Sequence, residues 1–178
     1  MRMATDPDED AGRLAAESLA VDDATGWFER LYVAARNGAA VVPWDRDGPN
    51  RLLAEWAEAH SIAGGGRRAL VVGAGLGADS EFVAGLGFDT VAFDVSATAI
   101  ETIRGRYPQS AVEYLAADLL DPPGGWRAGF DLVVESLTVQ SLPDSIRPAA
   151  ITRVAELVGP GGTLLVIATG RAEKDGRP

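Results

Sequence analysis

Two apolar periods follow one another along the chain. In the first third, Trp27, Phe28, Leu31, Tyr32 and Ala35 recur three and four residues apart. That spacing predicts a helix from Thr25 that ends near Asn37-Gly38. After the turn-rich stretch Val42–Pro49, a second helix is predicted over Asn50–His60, with Leu52, Leu53 and Trp56 on one face. The run Gly64-Gly65-Gly66 then reads as a hinge. Beyond it, short continuous apolar runs alternate with helical ones. Strands are predicted at Ala69–Val72, Val91–Phe93, Val112–Leu115, Phe130–Val134 and Thr163–Ala168. Helices are predicted around Ser80–Leu86, Ala97–Arg106 and Asp144–Val158, the last stopped by Gly159-Pro160-Gly161-Gly162. Strands this apolar, separated by helices, are parallel and buried on both faces. The fold class is α/β, a doubly wound Rossmann-like parallel sheet of order 3-2-1-4-5.

The first 24 residues break the pattern. They hold seven acids against Arg2 and Arg13, half of the chain's net charge of −10. Residues 1–24 are therefore expected to be a frayed acidic arm, ordered at most as one short helix over Ala11–Leu19. The rest of the 178 residues fits one domain. A net of −10 repels phosphate backbones and argues against nucleic acid as a partner. Zero cysteines exclude disulfides, thiolate metal sites and cysteine nucleophiles, and a single histidine, His60, excludes a multi-histidine metal site. No apolar stretch is long enough to span a bilayer and no signal peptide is visible, so a soluble, cytoplasmic protein is expected.

The candidate chemistry gathers at the carboxyl edge of the strands. Val72-Gly73-Ala74-Gly75-Leu76-Gly77 lies between the first strand and a helix, where glycines let the chain turn tightly and let a ligand approach the backbone. Asp94, 21 residues after Gly73, ends the second strand and can accept both hydroxyl hydrogens of a ribose. Gly73-x-Gly75-x-x-Ala78 also satisfies the dinucleotide fingerprint, so NAD remains an alternative ligand. Asp118, after the third strand, either accepts from an adenine amino group or caps a turn. Glu135 ends the fourth strand. Three carboxylates at one edge would repel a pyrophosphate and suit a cationic adenosine ligand carrying a sulfonium or an ammonium.

On these residues the chain resembles the class I S-adenosylmethionine-dependent methyltransferases, over about Thr25 to Ala168. The resemblance implies that Gly73, Ala74, Gly75 and Gly77 wrap the methionine part of the cofactor. It further implies that Asp94 holds the ribose beside Val95, and that Asp118 and Leu119 flank the adenine. The segment Pro43-Trp44-Asp45-Arg46-Asp47-Gly48-Pro49 and the upstream Gly26-Trp27-Phe28 are similar to the thiopurine and thiol or halide methyltransferase branch. By that likeness residues 25–63 form a helical lid on a methyltransferase domain of residues 25–178. Trp44 and Trp27 are then lid residues over the cofactor, with a core aromatic as the other reading of Trp27. Many relatives carry an acid two residues before the first loop glycine. Here that residue is Val71, which leaves Glu135 to hold the cofactor's amino group.

The implied activity is methyl transfer from S-adenosylmethionine to sulfur, oxygen or nitrogen of a small molecule, leaving S-adenosylhomocysteine. A cofactor-binding module without catalysis and an NAD-dependent oxidoreductase are the alternatives. No catalytic residue is named: His60 reads as a helix C-terminal residue, and Arg147 as either an anion contact or an ion pair. The family's C-terminal antiparallel hairpin is expected to be missing. That would leave the fifth strand, Thr-Leu-Leu-Val-Ile-Ala, as an unprotected edge, with a homodimer among its expected covers.

Overall fold

The computed structural model describes residues 7–170. Three helices come first: α1 (Pro7–Leu19), α2 (Gly26–Arg36) and α3 (Arg51–Ala59). Strands and helices then alternate as β1 (Arg68–Val72), α4 (Ala78–Gly85), β2 (Asp89–Asp94), α5 (Ala97–Arg106), β3 (Glu113–Ala116), β4 (Phe130–Ser136), α6 (Arg147–Leu157) and β5 (Val158–Ile167). The five strands form one sheet in the order β3-β2-β1-β4-β5, and every neighbouring pair is parallel. The expected strand order is the observed one.

Side chains along a strand alternate between faces, and both faces of this sheet are covered. Ala69 and Val71 of β1 pack with Leu53, Val83, Ile100 and Ile103, beneath α3, α4 and α5. Leu70 and Val72 point the other way, into a cluster with Phe93, Phe130, Val133 and the α6 residues Ala150, Val154 and Leu157. Burial on both sides is why these strands read as continuous apolar runs rather than alternating ones.

Several expectations need correction. The acidic start is not frayed from Pro7 onward: α1 docks Leu14 against Trp27 and Leu31 of α2. Asp10, Leu14 and Ser18 are buried on its inner face, with Ala11 and Ala15 packed beside Leu14, a docking that net charge conceals. Residues 1–6 of the expected arm lie outside the described residues. Leu52 is not on the buried face of α3; it is exposed, and Leu53 and Ala57 are the residues buried there. The glycine run is no free hinge, because Gly64 N–H donates to Leu86 O (2.7 Å) and Gly66 N–H to Gly87 O (2.9 Å). The helix after β4 begins at Arg147 rather than Asp144, and the chain before it makes a single 3-10 turn at Val139–Ser141. Strand β5 starts at Val158 and loops Gly159–Gly162 out as a bulge opposite β4, between the pairs Phe130–Val158 and Leu132–Thr163. Along β5, Leu164 and Val166 are exposed at the sheet edge.

The helices ahead of β1 are tied to the sheet layer by polar contacts. Glu29 of α2 accepts from the hydroxyls of Ser96 and Thr98 and from Thr98 N–H, at the amino end of α5. Burial pushes this carboxyl up, but the three hydrogen bonds and Arg36 outweigh it and hold it below its usual range. Asp45 takes both terminal nitrogens of Arg106, at 2.8 and 3.0 Å. Both partners of that pair are about one-third exposed. Arg106→Ala is therefore expected to cost no more than about 1 kcal/mol of stability in urea unfolding.

Candidate functional site

The strand order reverses between β1 and β4, and in open α/β sheets ligands bind outside the carboxyl ends at that point. A cleft of about 340 Å³ lies there. Its floor is the loop Gly73–Leu76, one wall is Phe93–Val95 and Ala117–Leu120, the other is Ser136–Leu142, and Tyr32, Pro43, Trp44 and Arg46 cover it.

Backbone geometry explains the glycine loop. Gly73 has φ +67°, and a Cβ there would lie 2.2 Å from Thr138 Oγ1. The space left by this glycine houses Thr138, whose hydroxyl donates to Val72 O (3.2 Å), so the glycine loop and the loop after β4 are locked together. Gly77, at φ +93°, turns the chain into α4, and a Cβ there would press on Tyr107 and Ile103 at 3.0 and 3.1 Å. Gly77 does not line the cleft; Gly73, Ala74 and Gly75 do.

Asp94 is the best-defined polar group of the cleft. One carboxylate oxygen accepts from Gly75 N–H (3.0 Å) and the other from Ser96 N–H (2.9 Å). The residue lines the cleft while only 5% exposed. Burial, helped by the nearby charge of Glu29, pushes its pKa up to about 6, against the pull of the Ser96, Gly75 and Val95 N–H groups. Without ligand, its share of stability is present below the ordinary value of 3.8 and is lost as the pH rises through about 6. Val95 beside it is 39% exposed, an apolar surface open to the cleft. Leu119 is buried and lines the cleft too. Asp118 also lines it but accepts from Leu120 N–H (2.8 Å), so it caps a turn whatever else it does.

Besides Gly77, two further predicted site residues lie outside the cleft lining. Glu135 is buried and does not line the cleft: one of its oxygens accepts from Thr138 N–H (2.7 Å) and Val139 N–H (2.9 Å). Burial raises its pKa, against those two bonds. It braces the loop after β4, and the three-acid edge read from sequence loses this member. Trp27 stacks on Phe28 at 3.9 Å and packs with Leu14 and Leu31, a core aromatic rather than a cleft residue. Trp44 does line the cleft. Its indole N–H donates to Tyr32 Oη (2.8 Å), and its Cδ1 lies 3.3 Å from where a Gly75 Cβ would stand. His60 ends α3, with Nδ1 2.8 Å from Trp56 O. Arg147 pairs with Asp144 and donates to the carbonyls of Val139, Gln140 and Leu142, wrapping the turn after β4 instead of facing a ligand.

The sequence reading missed Tyr32, Arg46, Asp79 and Thr138. Tyr32 sat at a core position of a helical period, and its burial beside Gly75 depends on how α2 crosses the sheet edge. Asp79 lies in the first turn of the helix after the glycine loop, and nothing local says that a first-turn acid lines a cleft. Its carboxylate accepts from Asn50 N–H (2.6 Å) and from Arg46 Nη2 (3.4 Å). Leu137, in the loop after β4, has φ +64°, a backbone state that a branched residue adopts only under constraint.

Comparison with known proteins decides the family. The methyltransferase domain family matches residues 69–162, more than half of the chain. The chain belongs to that family. Its sheet order and its cleft at the carboxyl edge are those of the class I S-adenosylmethionine-dependent methyltransferases. It is 26% identical over 162 residues to the probable thiol methyltransferase 2 of Arabidopsis thaliana, covering 90% of this chain. It is 32% identical over 133 residues to the ubiquinone biosynthesis O-methyltransferase of Xanthomonas campestris pv. campestris (strain B100), covering 69% of this chain. A structure solved in work on the conversion of a disulfide bond into a thioacetal group during echinomycin biosynthesis superposes with a TM-score of 0.67 at 26% identity, over 78% of this chain. This methyltransferase-family chain spans 69% and 54% of the lengths of the two curated relatives and 58% of the solved chain.

Proposed function

We propose that the chain binds S-adenosylmethionine in this cleft and transfers its methyl group to the sulfur of a small-molecule acceptor. In this reading the Asp94 carboxylate accepts from the ribose hydroxyls. Val95 and Leu119 flank the adenine, Gly73–Gly75 pass under the methionyl chain, and residues 25–63 close over it through Trp44. Gly77 and Glu135 support the loops without touching the ligand.

The observation that carries the sulfur assignment is the polar make-up of the wall after β4. Among the described residues it offers Ser136, Thr138, Gln140 and Ser141 beside Leu137, Leu142 and Ile146, with no carboxylate, imidazole or amine. An alcohol or phenol acceptor needs a base to take its proton as the new bond forms. A thiol, with a free pKa of about 8.5, is far more acidic than an alcohol and supplies reactive thiolate without a base from the protein. Displacement at the sulfonium methyl is then a matter of in-line placement and exclusion of water, which such a wall can provide. Likeness to a protein named as a thiol methyltransferase supports the same choice. The likeness to an O-methyltransferase favours oxygen as the rival acceptor atom.

Methyl-labelled S-adenosylmethionine offered with thiophenol, catechol and benzylamine in parallel tests the assignment. Label is expected in the thioether. Label in catechol alone would overturn the sulfur reading, and no label in any acceptor would count against catalysis itself.

The Asp94 carboxyl sets a pH dependence. Two ribose hydroxyls donating to it favour its charged form, so binding lowers its pKa and releases a proton near pH 6. Affinity for S-adenosylhomocysteine is expected to fall about tenfold from pH 7 to pH 5. Asp94→Asn is expected to flatten that profile. Calorimetric titrations across the range check both.

A further inference from the structure

The wall after β4 is polar in sequence, yet each of its polar side chains is engaged in holding the loop together. The Thr138 hydroxyl donates to Val72 O (3.2 Å) and the Ser141 hydroxyl to Leu137 O (2.8 Å). Ser136 Oγ accepts from the side-chain amide of Asn50 (3.2 Å), and Gln140 Oε1 accepts from Thr169 N–H (2.8 Å). The remaining lining residues of this wall, Leu137, Leu142 and Ile146, are apolar.

Leu137 differs from the other two. Leu142 and Ile146 pack into the apolar cluster on the α6 side of the sheet. Leu137 belongs to neither sheet cluster; it is half-buried and lines the cleft. Its backbone sits at φ +64°, where the Cβ of an L-residue crowds the following carbonyl, so that glycine is free of strain and asparagine is tolerated. A leucine persists in such a state only where its surroundings fix it from several sides. Here Leu137 N–H donates to Ile167 O (2.9 Å) at the end of β5, and Leu137 O takes the Ser141 hydroxyl. Glu135 holds the next N–H, that of Thr138, at 2.7 Å. Core packing does not offset this strain. Its outcome is a leucine set in the cleft wall.

We propose that Leu137 selects the acceptor: it presents the apolar surface against which the organic group of the thiol lies, and so favours thiols carrying a hydrocarbon group over small hydrophilic ones. The proposal rests on the reading of this cleft as a site of methyl transfer to sulfur, and goes further by naming the residue that chooses among thiols. The residues assigned to the adenosine follow β2 and β3, across β1 from β4, which leaves Leu137 to the acceptor. The bond changes require nothing of it. The acceptor sulfur, its proton already lost to water, bonds to the methyl carbon as the sulfonium C–S bond breaks, and that electron pair stays on the sulfur of S-adenosylhomocysteine. Leu137 acts on where the acceptor lies, because a hydrocarbon group gains in proportion to the apolar area it removes from water. A hydrophilic thiol has little such area to bury.

The test measures kcat/KM for thiophenol and for mercaptoethanol, with methyl-labelled S-adenosylmethionine, in the parent chain and in Leu137→Asn. Asparagine has nearly the shape of leucine and accepts the left-handed backbone, so it changes the polarity and spares the turn. The ratio of the two values, thiophenol over mercaptoethanol, is expected to fall roughly 5- to 30-fold, chiefly through a higher KM for thiophenol. Leu137→Met keeps an apolar side chain and is expected to hold the ratio within about threefold of the parent. Calorimetry is expected to show both variants binding S-adenosylhomocysteine within about twofold of the parent, since the adenosine contacts are separate from this residue. That binding also shows that the variants are folded. An unchanged ratio in Leu137→Asn, with both thiols still methylated, would overturn the proposal and leave methyl transfer to sulfur standing. A ratio that falls as far in Leu137→Met would overturn it too, because polarity would then not be the cause. So would a matching loss of S-adenosylhomocysteine affinity, which would assign Leu137 to the shape of the loop. If the parent methylates neither thiol, the sulfur reading fails and the proposal with it.

Discussion

Asp94→Ala is expected to weaken S-adenosylhomocysteine binding by about 1.5–3 kcal/mol, some 10- to 150-fold, the range for hydrogen bonds to a charged group. The cause is the loss of the cleft-lining carboxylate that Gly75 N–H and Ser96 N–H hold in place. Stability changes less than affinity, because two effects oppose each other. The substitution leaves those two N–H groups without an acceptor, but it also removes a carboxylate that burial has pushed up to about 6. Titration calorimetry beside urea unfolding separates the two quantities. Affinity within a factor of two of the parent would mean that the ribose is held elsewhere.

The largest stability effect is expected at Gly73. Gly73→Ala places a side chain at φ +67° and drives Cβ to 2.2 Å from Thr138 Oγ1 and 2.7 Å from its Cγ2. The left-handed backbone costs about 1–2 kcal/mol, and the crowding adds about 1–3 kcal/mol. A loss of roughly 2–5 kcal/mol in urea unfolding follows. Thr138→Ala removes the two nearest atoms, so the double variant is expected to recover part of that loss and the cycle to show coupling. Strict additivity would mean that the two loops are not locked in the way the geometry indicates. The glycine fingerprint thus has a second reading in this chain. Its first glycine makes room for a side chain of the opposite loop as well as for a ligand.

How much of this was legible beforehand depended on the range of the interaction involved. The strands were readable because double burial writes continuous apolar runs, and the right-handed crossovers of a parallel sheet leave few strand orders open. Asp94 and the glycine loop were readable because their roles follow from positions along the chain: the end of a strand, the turn into a helix. Glu135 was misplaced for a different reason. Being at the carboxyl end of β4 says nothing about which side of the sheet its carboxylate turns to, and two backbone N–H groups in the next turn captured it. Trp27 and Trp44 are both aromatic residues ahead of β1, and only the crossing of α2 over α5 separates the core residue from the cleft residue. The docking of α1 was hidden by composition, since Leu14 is the one large buried apolar side chain of a helix that otherwise offers mostly alanines and charges. Arg46 and Asp79 lie 33 residues apart and meet only in three dimensions.

The central claim is that the cleft between the glycine loop and the loop after β4 holds an S-adenosyl ligand. A calorimetric titration of S-adenosylhomocysteine into the chain at pH 7, with NAD as the comparison ligand, tests it most directly. The account predicts one site per chain for S-adenosylhomocysteine and no measurable binding of NAD. Binding of NAD with none of S-adenosylhomocysteine would contradict it.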